Sequence, residues 1–203
     1  MAWRVPVTSL LRTLTDNDEF YPFLSAAGVP IIIFPKPREV VHFVFSIASE
    51  VAEANAMDWQ VLGGNRIIKD SALSDTTDGS NIDLAVADNQ ADDYYMGMYL
   101  EMTSGGEQGE FKLITDYVTA SNLAILENAL SGTPTAGETY SIYHMAQVVD
   151  GSGSITAEQT LTEALPQNAE FGASGYPCLI PRAKSSSDDH VALLTYTIDG
   201  VSA

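Results

Sequence analysis

The residue types that most often carry chemistry are sparse in this chain. Its three histidines are His42, His144 and His190, and none has a metal-binding spacing such as His-Glu-x-x-His. His42 lies in an apolar stretch, which favours a hydrogen-bonded structural role. Asp188 and Asp189 precede His190, and carboxylates beside an imidazole can bind a metal or transfer protons. Consecutive strand residues point to opposite faces, however, so a polar turn before the last strand is the favoured interpretation.

Two potential nucleophiles lie close together in sequence. The segment FGASGYP around Ser174 lacks the Gly-x-Ser-x-Gly order of a nucleophile elbow. Cys178 is the single cysteine, and its apolar setting in GYPCLIP predicts a buried structural thiol. The Gly-x-Gly-x-x-Gly and phosphate-loop patterns are both absent from the sequence. We therefore predict no catalytic residue, no cofactor and no enzyme activity, with a hydrolase built on the FGASG or SDDH stretch as the alternative.

One loop has the composition of a calcium site. The segment DTTDGSNID supplies Asp75, Asp78, Asn81 and Asp83 around Gly79, and calcium prefers such oxygen ligands. The spacing does not fit an EF-hand loop, so a solvated loop without metal is favoured. A calcium-dependent module that binds a host surface stays open as an alternative.

The net charge of the chain limits the classes of partner that it is expected to bind. Nine Lys and Arg face 27 Asp and Glu, a formal net charge of -18, so direct binding to nucleic acid is not expected. The chain has 203 residues, 45% hydrophobic and 18% charged, which is typical of a globular protein. No apolar run approaches the length of a membrane span, and no signal-peptide pattern is present. We expect synthesis in the cytoplasm and no membrane partner.

The first 36 residues differ from the rest. The stretch from about Thr8, with Leu10, Leu11 and Leu14 on one side, predicts a short helix. Several prolines then favour extended segments up to an apolar end. We therefore predict an extended Pro-rich N-terminal arm over residues 1–36 that contacts a neighbouring subunit.

Residues 37–203 are predicted to form one mainly β domain, an antiparallel sandwich or barrel. Short apolar-rich strands alternate with turns rich in Gly, Asp and Ser, as such folds require. REVVHFVFSIASE predicts a strand buried on both faces, and DDHVALLTYTIDGV predicts the closing strand. The Gly63-Gly64 pair between them predicts a turn.

Residues 91–145 are predicted to contain a β-hairpin module. The segment from Asp92 to Tyr117 is an apolar-rich stretch, a Gly-rich turn and then an alternating stretch. The alternation places Phe111, Leu113, Thr115 and Tyr117 on one face.

This module resembles one found in structural proteins of tailed bacteriophages. The recurring form is Asp-Asp-Tyr-Tyr, a Gly, a strand, a Gly-rich turn, a strand ending in Ile-Thr-Asp-Tyr, an apolar strand and a Pro-containing loop before Tyr-x-Ile. The matching residues are Asp92, Asp93, Tyr94, Tyr95, Gly97, Gly105, Gly106, Gly109, Ile114, Thr115, Asp116, Tyr117, Pro134, Tyr140 and Ile142. The resemblance covers about a quarter of the chain and implies a virion structural protein.

Within that class, the β content, the arm and the acidic surface favour a capsid decoration, or cement, protein on the capsid surface. Its expected partners are the major capsid protein and copies of itself, and the resemblance of role implies a homotrimer. A tail, connector or fibre-base component is the alternative. The predicted interface residues are apolar or aromatic side chains of the arm and the module: Trp3, Leu10, Leu14, Tyr21, Phe23, Ile32, Phe34, Tyr94, Tyr95, Met98 and Tyr99.

Overall fold

The chain is mainly antiparallel β, as predicted. The computed structural model describes residues 2–14, 19–23, 39–49, 57–76, 78–147, 153–155, 160–164, 178–185 and 190–202. In these ranges the single helical element is a 3-10 turn, Val86–Asp88, and no helix has the length and apolar character that a membrane crossing requires. The chain divides into two compact units. The first unit is Met1–Gly64 with Ala146–Ala203, and the second unit is Asn65–Met145.

One sheet of the first unit has the strand order β1-β13-β3-β11. Its strands are β1 (Ala2–Leu14), β3 (Glu39–Ser49), β11 (Thr160–Ala164) and β13 (His190–Ser202). β13 pairs antiparallel with both β1 and β3, and β11 pairs antiparallel with β3. The two strands predicted from REVVHFVFSIASE and DDHVALLTYTIDGV are therefore confirmed as β3 and β13.

The helix predicted from about Thr8 is wrong. Residues 2–14 form β1, whose register with β13 runs from Ala2 opposite Val201 to Leu14 opposite His190. A local leucine spacing is a weak signal, and pairing with a strand distant in sequence overrides it. The remainder of the predicted arm lies largely outside the described residues, and its contact with a neighbouring subunit stays a prediction.

The other strands of the first unit surround the first half of β4 (Met57–Ala72). β12 (Cys178–Ser185) pairs with β4 on one side and with β2 (Tyr21–Pro22) on the other. β10 (Gly153–Ile155) also pairs with β4. These pairings are antiparallel, and they continue the β character of the unit.

The turn predicted at Gly63-Gly64 is wrong, because β4 runs through both glycines. Gly63 lies opposite Leu179, and Gly64 lies opposite Cys178. The buried Cys178 thiol donates a hydrogen bond to the Gly64 carbonyl at 3.2 Å. A glycine inside a strand often marks such a close approach of another chain segment rather than a turn. The prediction that Cys178 is buried is confirmed.

The second unit contains the module, in the strand order β4-β9-β6-β7-β8-β5. Its further strands are β5 (Asn81–Asp83), β6 (Tyr99–Met102), β7 (Phe111–Val118), β8 (Leu123–Leu126) and β9 (Thr139–Gln147). β6 pairs antiparallel with β7 and β9, and β8 pairs antiparallel with β7 and β5. The predicted hairpin is therefore confirmed as β6 and β7.

A β-bulge in β7 changes the predicted alternation. Ile114 lies opposite Leu126 but Asp116 lies opposite Ile125, so Thr115 is the extra residue. Strict alternation would send Ile114 and Tyr117 to opposite faces, whereas the extra residue places both in the core at 0% exposure. Thr115, predicted to share a face with Tyr117, is exposed instead.

The core of the second unit lies on one face of this sheet. It consists of apolar and aromatic side chains from strands β5 to β9 and from the loops beside them: Leu73, Ile82, Leu84, Tyr95, Leu100, Met102, Ile114, Tyr117, Ala124, Leu126, Leu130, Tyr140 and Ile142. Three of these residues are tyrosines whose rings are buried and whose hydroxyl groups still need partners. Those partners lie in residues 84–98 and in the β7–β8 turn, which form the candidate site.

Candidate interface

The structure places the predicted interface residues in very different environments. Trp3, Leu10 and Leu14 lie in β1, but the structure does not describe their side chains. Ile32 and Phe34 lie outside the described residues. These five positions stay predictions.

The remaining candidates divide between core and surface. Phe23 is 0% exposed and Tyr95 is 2% exposed, so both belong to the interior of this chain rather than to a surface. Tyr21, Met98 and Tyr99 are half-buried, and the Tyr99 ring stacks on Phe111 with 5.0 Å between centroids. Tyr94 is exposed. Among the described candidates it is the one that is exposed to solvent, and its ring also packs in a T-shaped arrangement with Tyr95, with 5.0 Å between centroids.

The strand directions sort the loops of the second unit into two ends. β6 and β8 run one way and β7 and β9 the other, so alternate connections lie at the same end. We call residues 84–98 and 119–122 the tyrosine end. We call residues 73–80, 103–110 and 127–138 the glutamate end.

Three core tyrosines hold the 84–98 loop in place through hydrogen bonds of their hydroxyl groups. The Tyr140 hydroxyl accepts a hydrogen bond from the Ala85 amide at 2.9 Å and donates to the Asp88 carboxylate at 2.5 Å. The Tyr95 hydroxyl donates to the Asp88 carbonyl oxygen at 2.6 Å. Burial, followed by contact with the Asp88 carboxylate, raises the pKa of both phenols well above the ordinary value. These two phenol groups therefore stay neutral, and their hydroxyl groups hold the loop by hydrogen bonds.

Tyr117 and Asn122 complete the attachment of the loop. The Tyr117 hydroxyl donates to the Asn122 side-chain oxygen at 2.6 Å. The Asn122 amide group donates to the carbonyl oxygens of Leu84 and Ala85, both at 2.8 Å. Asn122 has a φ of 54°, a left-handed conformation that asparagine tolerates better than most residues. One asparagine thus links the β7–β8 turn, the core and the 84–98 loop.

The Asp-Asp-Tyr-Tyr motif forms the turn that follows. Asp92 accepts a hydrogen bond from the Thr119 amide at 3.1 Å, and the Asp93 amide donates to the Tyr117 carbonyl oxygen at 3.0 Å. The turn ends at Gly97, whose φ of 80° favours glycine. The Tyr95 ring packs edge-on against Tyr117 with 4.8 Å between centroids. The motif residues are therefore engaged in building the loop.

Part of what the loop presents to solvent is apolar. Among the described residues, four large apolar side chains are exposed: Ile67, Val86, Tyr94 and Met96. Three of them lie on the 84–98 loop, with exposures of 80% for Val86, 48% for Tyr94 and 56% for Met96. Neither Val86 nor Met96 is among the interface residues predicted from the sequence. The sequence signal for Val86 was an apolar residue that lies between acidic residues and belongs to no alternating strand pattern.

Carboxylates lie near these apolar side chains in the sequence. Residues 84–98 and 115–122 contain Asp88, Asp92, Asp93 and Asp116 and no Lys, Arg or His. Loss of water, followed by the nearby Asp116 and Asp92 carboxylates, raises the pKa of Asp93 above its usual range. Asp93 also has a φ of 60°, which costs an aspartate more than it would a glycine. The tyrosine end therefore keeps like charges close together at some cost in stability.

Carboxylates of the glutamate end also accept hydrogen bonds from nearby amides. Asp78 accepts them from the Asn81 side-chain amide and from the Asn81 and Ser80 backbone amides, and these bonds lower the pKa of Asp78. Glu110 accepts a hydrogen bond from the Ser131 amide at 3.1 Å, and Glu138 accepts one from the Thr135 amide at 2.9 Å. These carboxylates close turns within the unit.

The predicted oxygen-rich loop lies at this end. The Asn81 side-chain amide donates a hydrogen bond to the Asp78 carboxylate. Loss of water, and to a smaller extent the charge of Asp75, raises the pKa of Asp83. In the part of the chain that the structure describes, no group of three or more His, Cys, Asp or Glu is placed to hold a metal ion. Calcium binding by this loop stays an untested alternative.

A buried carboxylate lies on the other face of the sheet. Glu101 is 2% exposed and accepts a 2.6 Å hydrogen bond from the Tyr143 hydroxyl. Burial raises the pKa of Glu101 to about 6, against the opposing effects of Tyr143 and Arg66. The aromatic rings of Tyr99, Phe111 and Tyr143 pack together on this face. Glu101 lies among packed side chains, so we assign it to stability rather than to an exposed site.

Comparisons with known proteins give little further guidance. No protein-family model and no curated protein matches this sequence. Among solved structures, the chain is similar to VP17, a capsid protein of bacteriophage P23-77, with 12% identity over 99% of this chain and 100% of that one, and a TM-score of 0.18. The VP16–VP17 complex, a complex of the two major capsid proteins of bacteriophage P23-77, aligns with 9% identity over 97% and 98% of the chains and a TM-score of 0.19. TM-scores this low do not establish a common fold.

Proposed function

We propose that this chain is a structural protein of a tailed-bacteriophage particle, and within that class a protein that decorates and stabilises the capsid. It would act without catalysis, through repeated non-covalent contacts with the major capsid protein. Many weak contacts on a symmetric lattice add up to an attachment that is hard to reverse. The order of the module residues, from Asp92 to Ile142, is the sequence feature behind this proposal.

The observation that carries the proposal is how the module uses those residues. Tyr95, Tyr117 and Tyr140 are buried and fasten a loop, and Gly97 supplies its left-handed turn. The loop then exposes Val86, Tyr94 and Met96. An arrangement in which motif residues build a rigid loop and apolar side chains face outward supports adhesion as the function.

Copy number in the particle tests this function. Quantitative mass spectrometry of purified particles would measure the molar ratio of this protein to the major capsid protein. On the order of hundreds of copies supports decoration of a repeating lattice. A dozen or fewer would support the alternative, a tail, connector or fibre-base component. Absence from purified particles would overturn the structural role.

A further inference from the structure

The tyrosine end combines two properties that occur together nowhere else in the described part of the second unit. It exposes three large apolar side chains, and its loops carry three carboxylates, Asp88, Asp92 and Asp93, with no cation, while Asp116 lies close to Asp93 on β7. The nearest Lys or Arg in sequence are Lys69 and Lys112, outside both loops. Monomeric proteins seldom leave apolar side chains clustered on one fixed loop unless a partner covers them.

The carboxylates of the tyrosine end indicate which kind of partner could bind there. Asp93 has a raised pKa because water is displaced and because Asp116 and Asp92 lie close to it. A cationic group placed beside these carboxylates would relieve their repulsion, and an acidic or neutral surface would not. Charges at the rim of an interface mainly select partners and accelerate their encounter, while the apolar centre supplies affinity.

We infer that the tyrosine end is a docking surface for a protein whose complementary surface is an apolar patch ringed by Lys and Arg side chains. Val86, Tyr94 and Met96 enter the apolar patch, and Asp92, Asp93 and Asp116 face the cations. This inference deepens the proposed function, on which it rests for the identity of the partner as a capsid protein. The chemistry of the surface can be tested without a particle.

A second copy of the chain fits this surface less well. Each copy has a formal net charge of -18, and the second unit alone has three Lys and Arg against 13 Asp and Glu, a net of -10. Arg182 and Lys184 of the first unit already lie over the Phe20 ring, at 4.9 and 5.0 Å from its centroid. Like charges therefore oppose self-association through the tyrosine end.

The test is a titration of the full chain followed by backbone amide NMR. The probe is a capped hexapeptide, Lys-Lys-Leu-Leu-Lys-Lys, compared with two analogues in which Glu replaces Lys or Ser replaces Leu. We expect the probe to shift amides of residues 84–98 and 119–122, with weaker binding at higher salt because screening weakens the charge contacts. Both analogues should bind at least about fivefold more weakly.

A variant of the surface and a control variant elsewhere in the unit make the test specific. Tyr94→Ser with Met96→Ser removes exposed apolar groups of the surface and should weaken probe binding about tenfold without changing the melting temperature. The control, Ile67→Ser with Asp75→Asn and Glu127→Gln, removes an exposed apolar group and two charges elsewhere. It should bind the probe within about twofold of the unchanged protein.

Three outcomes would overturn the inference. Shifts spread evenly over acidic residues, equal in both variants, would mean non-specific charge attraction. A Leu-to-Ser probe that binds as well as the original would remove the apolar contribution. Self-association of the chain that Tyr94→Ser with Met96→Ser abolishes would assign the surface to a second copy. If the protein is absent from particles while probe binding holds, the proposed function fails and the docking chemistry stands.

Discussion

The two ends of the second unit are both acidic, but they differ in which side chains they expose beside the acid groups. At the glutamate end, Asp78 and Glu138 accept hydrogen bonds from backbone amides of their own turns, and Glu110 accepts one from Ser131 in the neighbouring loop. No large apolar side chain is exposed there among the described residues. At the tyrosine end the buried phenols and Asn122 hold the loop, while Val86, Tyr94 and Met96 face solvent.

The difference shows that acidity alone does not identify an interface. Exposed carboxylates that close their own turns need no partner, because their hydrogen-bonding capacity is already used. The apolar side chains of the 84–98 loop are exposed although hydrogen bonds from the core hold that loop in place. Their burial by a partner would be favourable. The comparison therefore directs experiments to the tyrosine end.

The largest effect should come from removing a core ring beneath the tyrosine end. Tyr117→Ala deletes a fully buried side chain that packs against Tyr95 and bonds to Asn122. We expect a loss of about 3–5 kcal/mol in unfolding free energy, since truncating buried aromatics leaves a cavity. Denaturant unfolding measures it. Thr115→Ala, at the exposed bulge residue of the same strand, should cost less than about 1 kcal/mol, and equal losses would show that the bulge does not orient Tyr117 as described.

Asn122→Ala should have the next largest effect and should act locally. It leaves the Leu84 and Ala85 carbonyl oxygens and the Tyr117 hydroxyl without this partner, and alanine is less favourable at a φ of 54°. We expect a loss of about 2–3 kcal/mol. Hydrogen exchange should accelerate in residues 84–98 before the strands are affected.

The same experiment at the other end gives the contrast. Asp78→Ala removes an exposed turn carboxylate, so its effect on unfolding should be smaller and its hydrogen-exchange change should stay within residues 73–83. If Asp78→Ala proved as damaging as Asn122→Ala, the distinction between the two ends would fail.

The Glu101→Gln variant tests whether a carboxylate buried in the sheet affects stability differently from the carboxylates at either end. The folded-state pKa of Glu101 is about 6, above the ordinary value of 4.5, so the folded protein binds this proton more tightly than the unfolded chain. The stability contributed by the protonated form is complete below pH 4.5 and is lost as the pH rises through about 6. The unchanged protein should therefore lose about 2 kcal/mol over this window relative to the variant. Parallel urea unfolding curves from pH 4 to 8 measure the difference, and parallel profiles for the two proteins would contradict it.

The smallest effect should be a gain. Asp93→Asn removes a negative charge beside Asp92 and Asp116 and places asparagine, which tolerates the left-handed region, at a φ of 60°. We expect the melting temperature to rise by less than about 2 °C at neutral pH, and the rise should shrink as salt increases. A decrease at low salt would show that the Asp93 carboxylate stabilises the turn.

Much of this architecture was predictable because it depends on local patterns. The alternation in DDHVALLTYTIDGV, the Gly-rich turn between β6 and β7 and the apolar setting of Cys178 each predicted what the structure shows. Turn residues and two-residue periodicity act over a few neighbours, so they can be recognised without knowing the fold. The prediction that nucleic acid is not a direct partner depends on a sum of charges rather than on folding, and it stays a prediction.

Long-range pairing decided the rest. Residues 8–14 form a strand because β13 lies beside them, and β4 continues through Gly63-Gly64 because β12 approaches closely there. The bulge at Thr115 and the exposure of Tyr94 beside a buried Tyr95 depend on which strand or core surface each residue meets. The sequence by itself determined a mainly β, acidic chain with a β-hairpin module. The tertiary structure determined which of its tyrosines are buried and hold the 84–98 loop and which one faces solvent, because burial is a property of contacts between segments far apart in the chain.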